Sequence, residues 1–293
     1  MNLSQLEVLV AIIDAGSMTE AAEVVGLTQS AVSYSISRLE AELGVTLLER
    51  GRQGVYATHI GAEVIQHARS ILNQIEAIRQ KSARERGLTV GKLRFGCVPT
   101  VPPRLLTGIL RGFQQRYPDI DTVLFEGTPR ELIDWLEAGM VDVGTVTQPA
   151  GYASSCPFVQ AEVVALLPKD HMLASRESLS FEDLSVEPLI GPKAEYGTLS
   201  MLLGAPQSVL PRVRHEVSTP DTIFAMVSEH MGIALMLRMQ FQPEMETLTT
   251  VPLSPRWFAN IYLASRTRSP AADAFMNCAA TWAKTHGFAV ENA

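Results

Sequence analysis

The chain has 293 residues, of which 46 % are hydrophobic and 19 % are charged, and its net charge is −7. This length accommodates two or three domains with separate cores, and the composition is typical of a soluble globular protein. No run of about 18 apolar residues occurs, which excludes a transmembrane helix. The acidic balance argues mildly against nucleic-acid binding through bulk charge.

The cysteines and the N-terminus favour a cytoplasmic protein. Cys97, Cys156 and Cys278 have neither CxxC nor metal-ligand spacing, which is typical of thiols kept in a reducing compartment. The apolar stretch at residues 8–13 is flanked by acids and follows no basic region, unlike a secretory signal. We expect no metal, no cofactor and no membrane association.

The first sixty residues predict three short helices. A capping box at Ser4–Glu7 starts the first helix, and a second box at Ser17–Glu20 starts the next. Ala21 and Ala22 provide small residues that let another helix approach. The apolar side of the first helix consists of Leu6, Leu9, Val10 and Ile13.

Thr28 can cap a third helix that begins at Gln29. Its apolar residues are spaced four, three and four apart: Val32, Ile36, Leu39 and Leu43. The opposite side carries short hydrogen-bonding groups, an aromatic hydroxyl and one cation. One interpretation is the polar face of an ordinary helical hairpin. The other is a surface that reads bases in a major groove, made of Gln29, Ser30, Ser33, Tyr34, Ser37 and Arg38.

The next residues favour the second interpretation. Residues 43–50 and 54–58 predict two short strands joined by a glycine-containing turn, a wing whose Arg50 and Arg52 can contact backbone phosphates. The first ninety residues nevertheless carry eight Lys or Arg and ten Asp or Glu, a net charge of −2. DNA affinity must therefore come from a local arrangement of cations and be doubled by dimerisation.

A long helix without proline follows, from about residue 61 to residue 84. Its apolar stripe has the four-three spacing of a coiled-coil seam, which favours dimerisation over a helix that only covers its own domain. The predicted seam consists of Val64, Ala68, Ile71, Leu72, Ile75 and Ile78.

From Lys92 onwards, strands and helices alternate, which predicts a parallel sheet with ligand sites at the carboxyl ends of its strands. Strands are predicted at 92–98, 122–126, 141–147, 158–167, 188–191, 212–217, 232–236 and 261–266. Helices are predicted at 103–116, 128–138 and 219–230, with a terminal helix from Ser269.

The chain resembles the LysR-type transcriptional regulators. The N-terminal motifs are Leu6, Ala21-Ala22, the run TQSAVSYSISRLEAELG at 28–44, Leu48-Glu49-Arg50, Thr58 and Gly61. Those of the remainder are Leu93–Gly96, Tyr117-Pro118, Glu126-Gly127, Glu131-Leu132, Leu136, Gly139, Asp142 and Gly232–Leu235. Tyr34 stands where the family often has a basic residue, and Leu48 where it usually has Phe, which leaves the operator sequence open.

The resemblance implies an α+β multi-domain fold. A winged helix-turn-helix domain would span 1–60 and a linker helix with its hinge 61–87. A two-lobed α/β effector domain similar to periplasmic solute-binding proteins would span 88–293, with lobe I at 91–160 and 267–293 and lobe II at 161–266. The implied partners are operator DNA, a small-molecule effector, and further copies in a dimer or tetramer; RNA polymerase is a further candidate.

In that fold the effector lies between the lobes. Thr100 follows the first strand and precedes a helix, so its hydroxyl and nearby amides suggest a site for a carboxylate. We therefore expect an anionic effector. The predicted effector-binding residues are Thr100, Val101, Thr147, Gln148, Tyr196 and Thr219, although Thr219 before Pro220 is also an ordinary helix cap.

Two alternatives stay open. The chain can be a solute-binding sensor whose N-terminal domain engages a protein partner, or a redox-sensing regulator that uses Cys97 or Cys156. Neither thiol has a close second cysteine or an obvious activating cation. No P-loop, GxSxG or HExxH motif occurs, so we expect no enzyme activity and no catalytic residues.

Overall fold

The computed structural model describes residues 1–51, 54–85, 91–193, 212–217, 219–241 and 246–288. The chain forms two compact units, Met1–Gly91 with Glu137–Met140, and Lys92–Leu136 with Val141–Ala293. Within the described ranges, no helix is both long enough and apolar enough to span a membrane.

The described part of the N-terminal unit contains three short helices, a two-stranded wing and one long helix. These are α1 (Leu3–Ala15), α2 (Met18–Val25), α3 (Gln29–Leu43), β1 (Leu48–Gly51), β2 (Gly54–Ala57) and α4 (His59–Glu85). The strands pair antiparallel, from Leu48 with Ala57 to Gly51 with Gly54. The predicted winged helix-turn-helix arrangement is confirmed.

Side-chain caps start the three short helices. Thr28 Oγ1 accepts from the Ala31 amide at 3.2 Å, and Ser17 Oγ accepts from the Glu20 amide at 3.1 Å. The predicted Ser4 capping box is wrong. The cap of α1 is Asn2, whose side chain and backbone exchange two hydrogen bonds with Gln5, so Ser4 lies inside the first turn.

The core of this unit lies between α1, α2 and α3. Val32, Ile36 and Leu39 are buried as predicted, but Leu43 is 39 % exposed because α3 ends there and Gly44, at φ 70°, turns the chain away. On α1 the predicted core side is partly wrong. Val8 and Ile12 are buried beside Leu6 and Leu9, whereas Val10 and Ile13 are only half-buried.

The apolar stripe of α4 divides into two parts. Val64 and the buried Ile65 pack against the core of the short helices, and Ala68 is only 1 % exposed in the chain. Ala68 is therefore unavailable to a partner helix, contrary to the predicted seam. The outward part of that seam is Ile71 and Ile78, which are exposed, with Leu72 and Ile75, which are half-buried.

An ion pair ties α4 to the first helix. The guanidinium of Arg69 is buried and contacts the carboxylate of Asp14 at the end of α1. A buried charge is tolerated only when it is paired, so this contact fixes the position of the long helix on the helix-turn-helix core.

In the C-terminal unit, the described residues form one eight-stranded sheet with the order β4-β3-β5-β10-β6-β9-β7-β8. The strands are β3 (Gly91–Cys97), β4 (Ile120–Glu126), β5 (Val143–Val146), β6 (Ser154–Pro168), β7 (Leu189–Pro192), β8 (Val213–Val217), β9 (Ile233–Leu237) and β10 (Leu248–Ser265). The helices are α5 (Pro103–Arg116), α6 (Pro129–Glu137), α7 (Phe181–Ser185), α8 (Pro220–Ser228) and α9 (Pro270–Thr285), with a 3₁₀ turn at Arg238–Gln240.

Two long antiparallel strands, β6 and β10, run through both lobes. One end of β10 pairs with β5 in the first lobe, and the opposite end of β6 pairs with β9 in the second. The last strand is much longer than the predicted 261–266. The sequence does not predict its first part, because Pro252 and a bulge before Trp257 interrupt the alternating pattern of a strand. The chain therefore re-enters the first lobe within β10, before residue 267.

The terminal helix α9 packs back against the first lobe, as predicted. The Phe275 ring lies 4.7 Å from the Phe95 ring and 5.1 Å from the Phe113 ring. Trp282 covers Gly108 of α5 so closely that a Cβ at residue 108 would lie 2.1 Å from the indole. This approach fixes how α5 and α9 cross.

Candidate DNA-binding surface and ligand cavity

The polar residues of α3 form one exposed surface above the buried side of the helix. Tyr34 is 66 % exposed, and Ser33 is half-buried. The remaining predicted members are all exposed: Gln29, Ser30, Ser37 and Arg38. These six residues form three adjacent pairs that recur every four positions, so the helix presents them together.

The N-terminus of α3 has no acidic residue in its first turn. Thr28 caps the helix and its hydroxyl lies 3.0 Å from that of Ser30. A helix start without a carboxylate keeps its positive end available to an anion such as a DNA phosphate.

Of the two arginines predicted to contact phosphates from the wing, the structure describes only the backbone of Arg50. Arg50 belongs to β1, but its side chain lies outside the described residues, as does all of Arg52. Tyr56 on β2 is 48 % exposed and adds an aromatic hydroxyl to this strand pair.

A cavity of about 260 Å³ opens in the C-terminal unit. Its walls come from both lobes: the loop after β3, the end of β5 and the start of α6 on one side, and the ends of β7 and β8, β9 and the start of α8 on the other. Residues 259 and 261 of the long strand β10 also contribute. This volume is slightly below the ~300–1,000 Å³ of common ligand pockets, which suits a compact small molecule.

Four of the predicted effector-binding residues line this cavity: Thr100, Thr147, Gln148 and Thr219. Val101 does not. It is 5 % exposed in the core of the first lobe, and its amide donates to the Val98 carbonyl at 3.0 Å. Tyr196 lies outside the described residues.

Sequence reasoning missed most of the apolar wall. Ile133, Phe224, Met236 and Ile261 line the cavity, yet their spacing along α6, α8, β9 and β10 is that of ordinary core residues. It also missed Gln240, whose Oε1 accepts from the Leu237 amide at 3.0 Å. No sequence signal separates a side chain that faces a cavity from one that faces a core.

The described lining contains no charged side chain. Its polar members are Thr100, Thr145, Thr147, Gln148, Tyr152, Thr219 and Gln240. Thr145 accepts from the Val98 amide at 3.3 Å, and Thr219 caps α8. The side chains of Thr100, Thr147 and Gln148 form no hydrogen bond with any other described residue, so they are available to a ligand.

Burial disfavours the thiolate form of all three cysteines. Burial and the nearby Glu126 carboxylate raise the pKa of Cys97 from 9.0 to about 12. Burial likewise raises the pKa of Cys156 and of Cys278. Because the thiolate is the nucleophilic form, these surroundings disfavour rapid reaction with an oxidant.

The family models match both units of the chain. The model for the bacterial regulatory helix-turn-helix protein of the lysR family matches residues 3–62, and the LysR substrate binding domain matches residues 86–284. The uncharacterized HTH-type transcriptional regulator YvbU of Bacillus subtilis is 32 % identical over 269 residues, which cover 90 % of this chain and 91 % of the relative. The probable HTH-type transcriptional regulator LrrA of Synechococcus elongatus is 32 % identical over 284 residues, which cover 94 % and 96 %.

Solved structures show the same fold. A full-length OxyR variant from Pseudomonas aeruginosa has a TM-score of 0.80 at 22 % identity, covering 95 % of this chain and 97 % of that one. Full-length CbnR complexed with its target DNA has a TM-score of 0.61 at 21 % identity, covering 96 % and 100 %. The helix-turn-helix unit, the two-lobed unit and the family matches over both lead to one conclusion: the chain belongs to the LysR family of DNA-binding transcriptional regulators.

Proposed function

We propose that this protein regulates transcription by reading an operator sequence with α3, and that a small molecule in the cavity modulates its binding or bending of DNA. The observation that carries the proposal is the exposed, acid-free polar surface of α3 above a buried three-helix core. Gln29, Ser30, Ser33, Tyr34, Ser37 and Arg38 would contact bases in the major groove, and Arg50 and Arg52 would contact phosphates.

The chemistry of the surface supports DNA over a protein partner. Serine, glutamine and tyrosine side chains hydrogen-bond to base edges and phosphates, and arginine can form a bidentate pair with guanine. The CbnR structure, which contains target DNA, supports the same use of this fold. Exposed Ile71 and Ile78 on α4 support pairing of two chains, which would present two copies of α3 to one site. Assembly into tetramers follows from the family.

The test is a fluorescence-anisotropy titration with the promoter region beside the protein's own coding sequence. We expect Arg38→Ala to weaken binding by about 10- to 100-fold, since a base or phosphate contact of this kind is worth ~1–3 kcal/mol. Ser33→Ala should weaken it less, and affinity should fall steeply with salt. Arg111→Ala, an exposed arginine on α5, is the matched control and should leave affinity unchanged.

The same titration separates the proposal from a sensor that engages a protein partner. If the wild-type chain binds this DNA no more tightly than an unrelated sequence, or if Arg38→Ala and Arg111→Ala bind equally well, the α3 surface does not read DNA.

Regulation through a thiol is the less favoured mechanism. The DNA-binding transcriptional dual regulator OxyR of Escherichia coli is 29 % identical over 192 residues, which cover 65 % of this chain and 63 % of that protein. The raised pKa values of Cys97, Cys156 and Cys278 argue against a peroxide-reactive thiolate here. A bound small molecule is therefore the favoured signal.

A further inference from the structure

We infer that the cavity takes an uncharged, mainly apolar small molecule with a hydrogen-bonding group, such as a primary amide, and not a carboxylate. The inference rests on the proposed function for its regulatory meaning. It revises the anionic effector that the sequence suggested.

The first support is that the described lining offers no cation with which an anion could pair. Among the described residues, every side chain that lines the cavity is uncharged. The segments of the second lobe outside the described ranges add no cation, since residues 194–211, 218 and 242–245 contain no Lys, Arg or His. A carboxylate taken from water into such a lining would lose hydration without gaining an ion pair.

The second support is the loop that was expected to hold a carboxylate, at the start of α5. Pro102 and Pro103 occupy the cap and first helical positions and have no N–H. The preceding amide, that of Val101, already donates to the Val98 carbonyl at 3.0 Å. Three consecutive residues beside Thr100 therefore offer no amide to a ligand, which weakens the anion site suggested there.

The other two helices that begin at the cavity each start with a proline and have an acid in the first turn. Pro129 starts α6, and the Thr128 amide donates to the Glu131 carboxylate at 2.8 Å while the Glu131 amide donates to Thr128 Oγ1 at 3.2 Å. Pro220 starts α8, whose first turn contains Asp221 and whose Thr222 amide donates to Thr219 Oγ1. Each of these helices thus has a carboxylate where an anionic ligand would need positive potential.

The remaining groups suit a neutral ligand. Phe224, Met236 and Ile261 provide apolar walls, which favour burial of a hydrocarbon body. The hydroxyls of Thr100 and Thr147 and the amide of Gln148 can donate to a carbonyl or accept from an NH₂ group. A neutral ligand keeps its hydrogen bonds in this setting and needs no counter-ion.

The test uses two isosteric probe pairs, benzamide with benzoate and hexanamide with hexanoate, and calorimetric titration of the full chain at neutral pH. We expect the amides to bind at least about tenfold more tightly than the matching carboxylates, because only the carboxylates bring an unpaired charge. Thr147→Val should weaken amide binding. Lys193 is exposed and does not line the cavity, although its neighbour Pro192 does. Lys193→Ala should therefore leave the preference for the amide unchanged in both probe pairs.

A charge-introducing variant sharpens the test. Gln148 is exposed at the cavity, so Gln148→Arg should fold normally and shift the preference towards the carboxylates. Gln114→Arg places the same charge on an exposed position of α5 that does not line the cavity, and should leave the preference unchanged.

Three results would overturn the inference: carboxylates that bind the wild-type chain as tightly as the amides, a Gln148→Arg variant with unaltered preference, or amides that do not bind at millimolar concentration. These outcomes are separate from the fate of the proposed function. Operator binding is measured without any probe, so loss of DNA recognition with retained amide binding would refute the regulator and leave the ligand class standing.

Discussion

The surface of α3 and the cavity of the C-terminal unit are both candidate binding sites, but they are assembled differently. The α3 surface consists of six residues within positions 29–38 of one helix. The cavity is lined by separate segments between residues 98 and 261. A site within one helix is determined by local periodicity, whereas a site between lobes depends on which segments the sheet brings together.

The helix starts show the same contrast. The first turn of α3 has no acid and no proline, so its positive end is open. The helices α6 and α8 both begin with proline and have an acid in the first turn, although they also begin at a candidate ligand site. The fold places these helix starts at the cavity, but the residues of this chain decide what they can bind.

The largest effect should come from the core beneath the α3 surface. Leu39 is fully buried, whereas Leu43 on the same helix is 39 % exposed. Leu39→Ala should lower the free energy of unfolding by about 2–5 kcal/mol, because it leaves a cavity in a close-packed core. The cost of Leu43→Ala should be below about 1 kcal/mol.

Urea unfolding followed by circular dichroism, together with operator titration, measures both variants. Leu39→Ala should lose operator affinity and keep binding to the amide probes, if the two sites depend on separate cores. Equal destabilisation by the two substitutions would show that the end of α3 is packed more tightly than its exposure indicates.

A pair of glycines on α5 should give effects of opposite sign. A Cβ at Gly108 would lie 2.1 Å from Trp282, which itself stacks on His286 at 3.8 Å, so Gly108→Ala should destabilise by about 1–3 kcal/mol. A Cβ at Gly112 would meet the same indole at an ordinary 3.5 Å. Gly112→Ala should therefore stabilise by up to ~1 kcal/mol through helix propensity.

Thermal unfolding of the two variants checks this pair. The first lobe owes its α5–α9 packing to the close approach at Gly108, so two shifts of the same sign would mean that Trp282 moves aside readily. Tryptophan fluorescence reports whether the indole has moved.

The smallest effect concerns the cap of α6. The Thr128 amide and hydroxyl donate to the Glu131 carboxylate and hold the pKa of Glu131 below its ordinary value of 4.5. The ionised Glu131 carboxylate therefore stabilises the fold fully above about pH 4.5, and this stabilisation is lost as the pH falls through the lowered pKa. Glu131→Gln should cost less than about 1 kcal/mol at pH 7, because the pair is exposed.

Urea unfolding at neutral pH and at successively lower pH measures the difference in unfolding free energy between wild type and Glu131→Gln. This difference should shrink as the Glu131 carboxylate protonates. Asp134→Asn on the same helix is the matched control, because its contact with Arg130 is an exposed i,i+4 ion pair. A difference between wild type and Glu131→Gln that stays constant with pH would mean that the Glu131 carboxylate does not sustain the cap.

The features that the sequence predicts correctly are those that depend on residues close together in the chain. Helix α5 begins and ends at the predicted residues 103 and 116, and Thr28, Thr219 and Ser269 cap helices as expected, since caps and periodicity involve neighbours in the chain. The first half of β10 was missed, because its pairing with β6 is set by a partner strand some ninety residues away. Val101, predicted at the ligand site, is buried in the core of the first lobe instead, which depends on packing between segments distant in the chain.

Local sequence therefore specifies the helix-turn-helix unit, its exposed polar surface and the alternation of strands and helices that follows, because each depends on interactions among residues close in the chain. Long-range packing sets the rest: the described lining of the cavity is mainly apolar and uncharged, two of the helices that begin there have an acid in the first turn, and Ala68 is buried. Those properties arise where distant segments meet, and no local pattern records which side chains they will share.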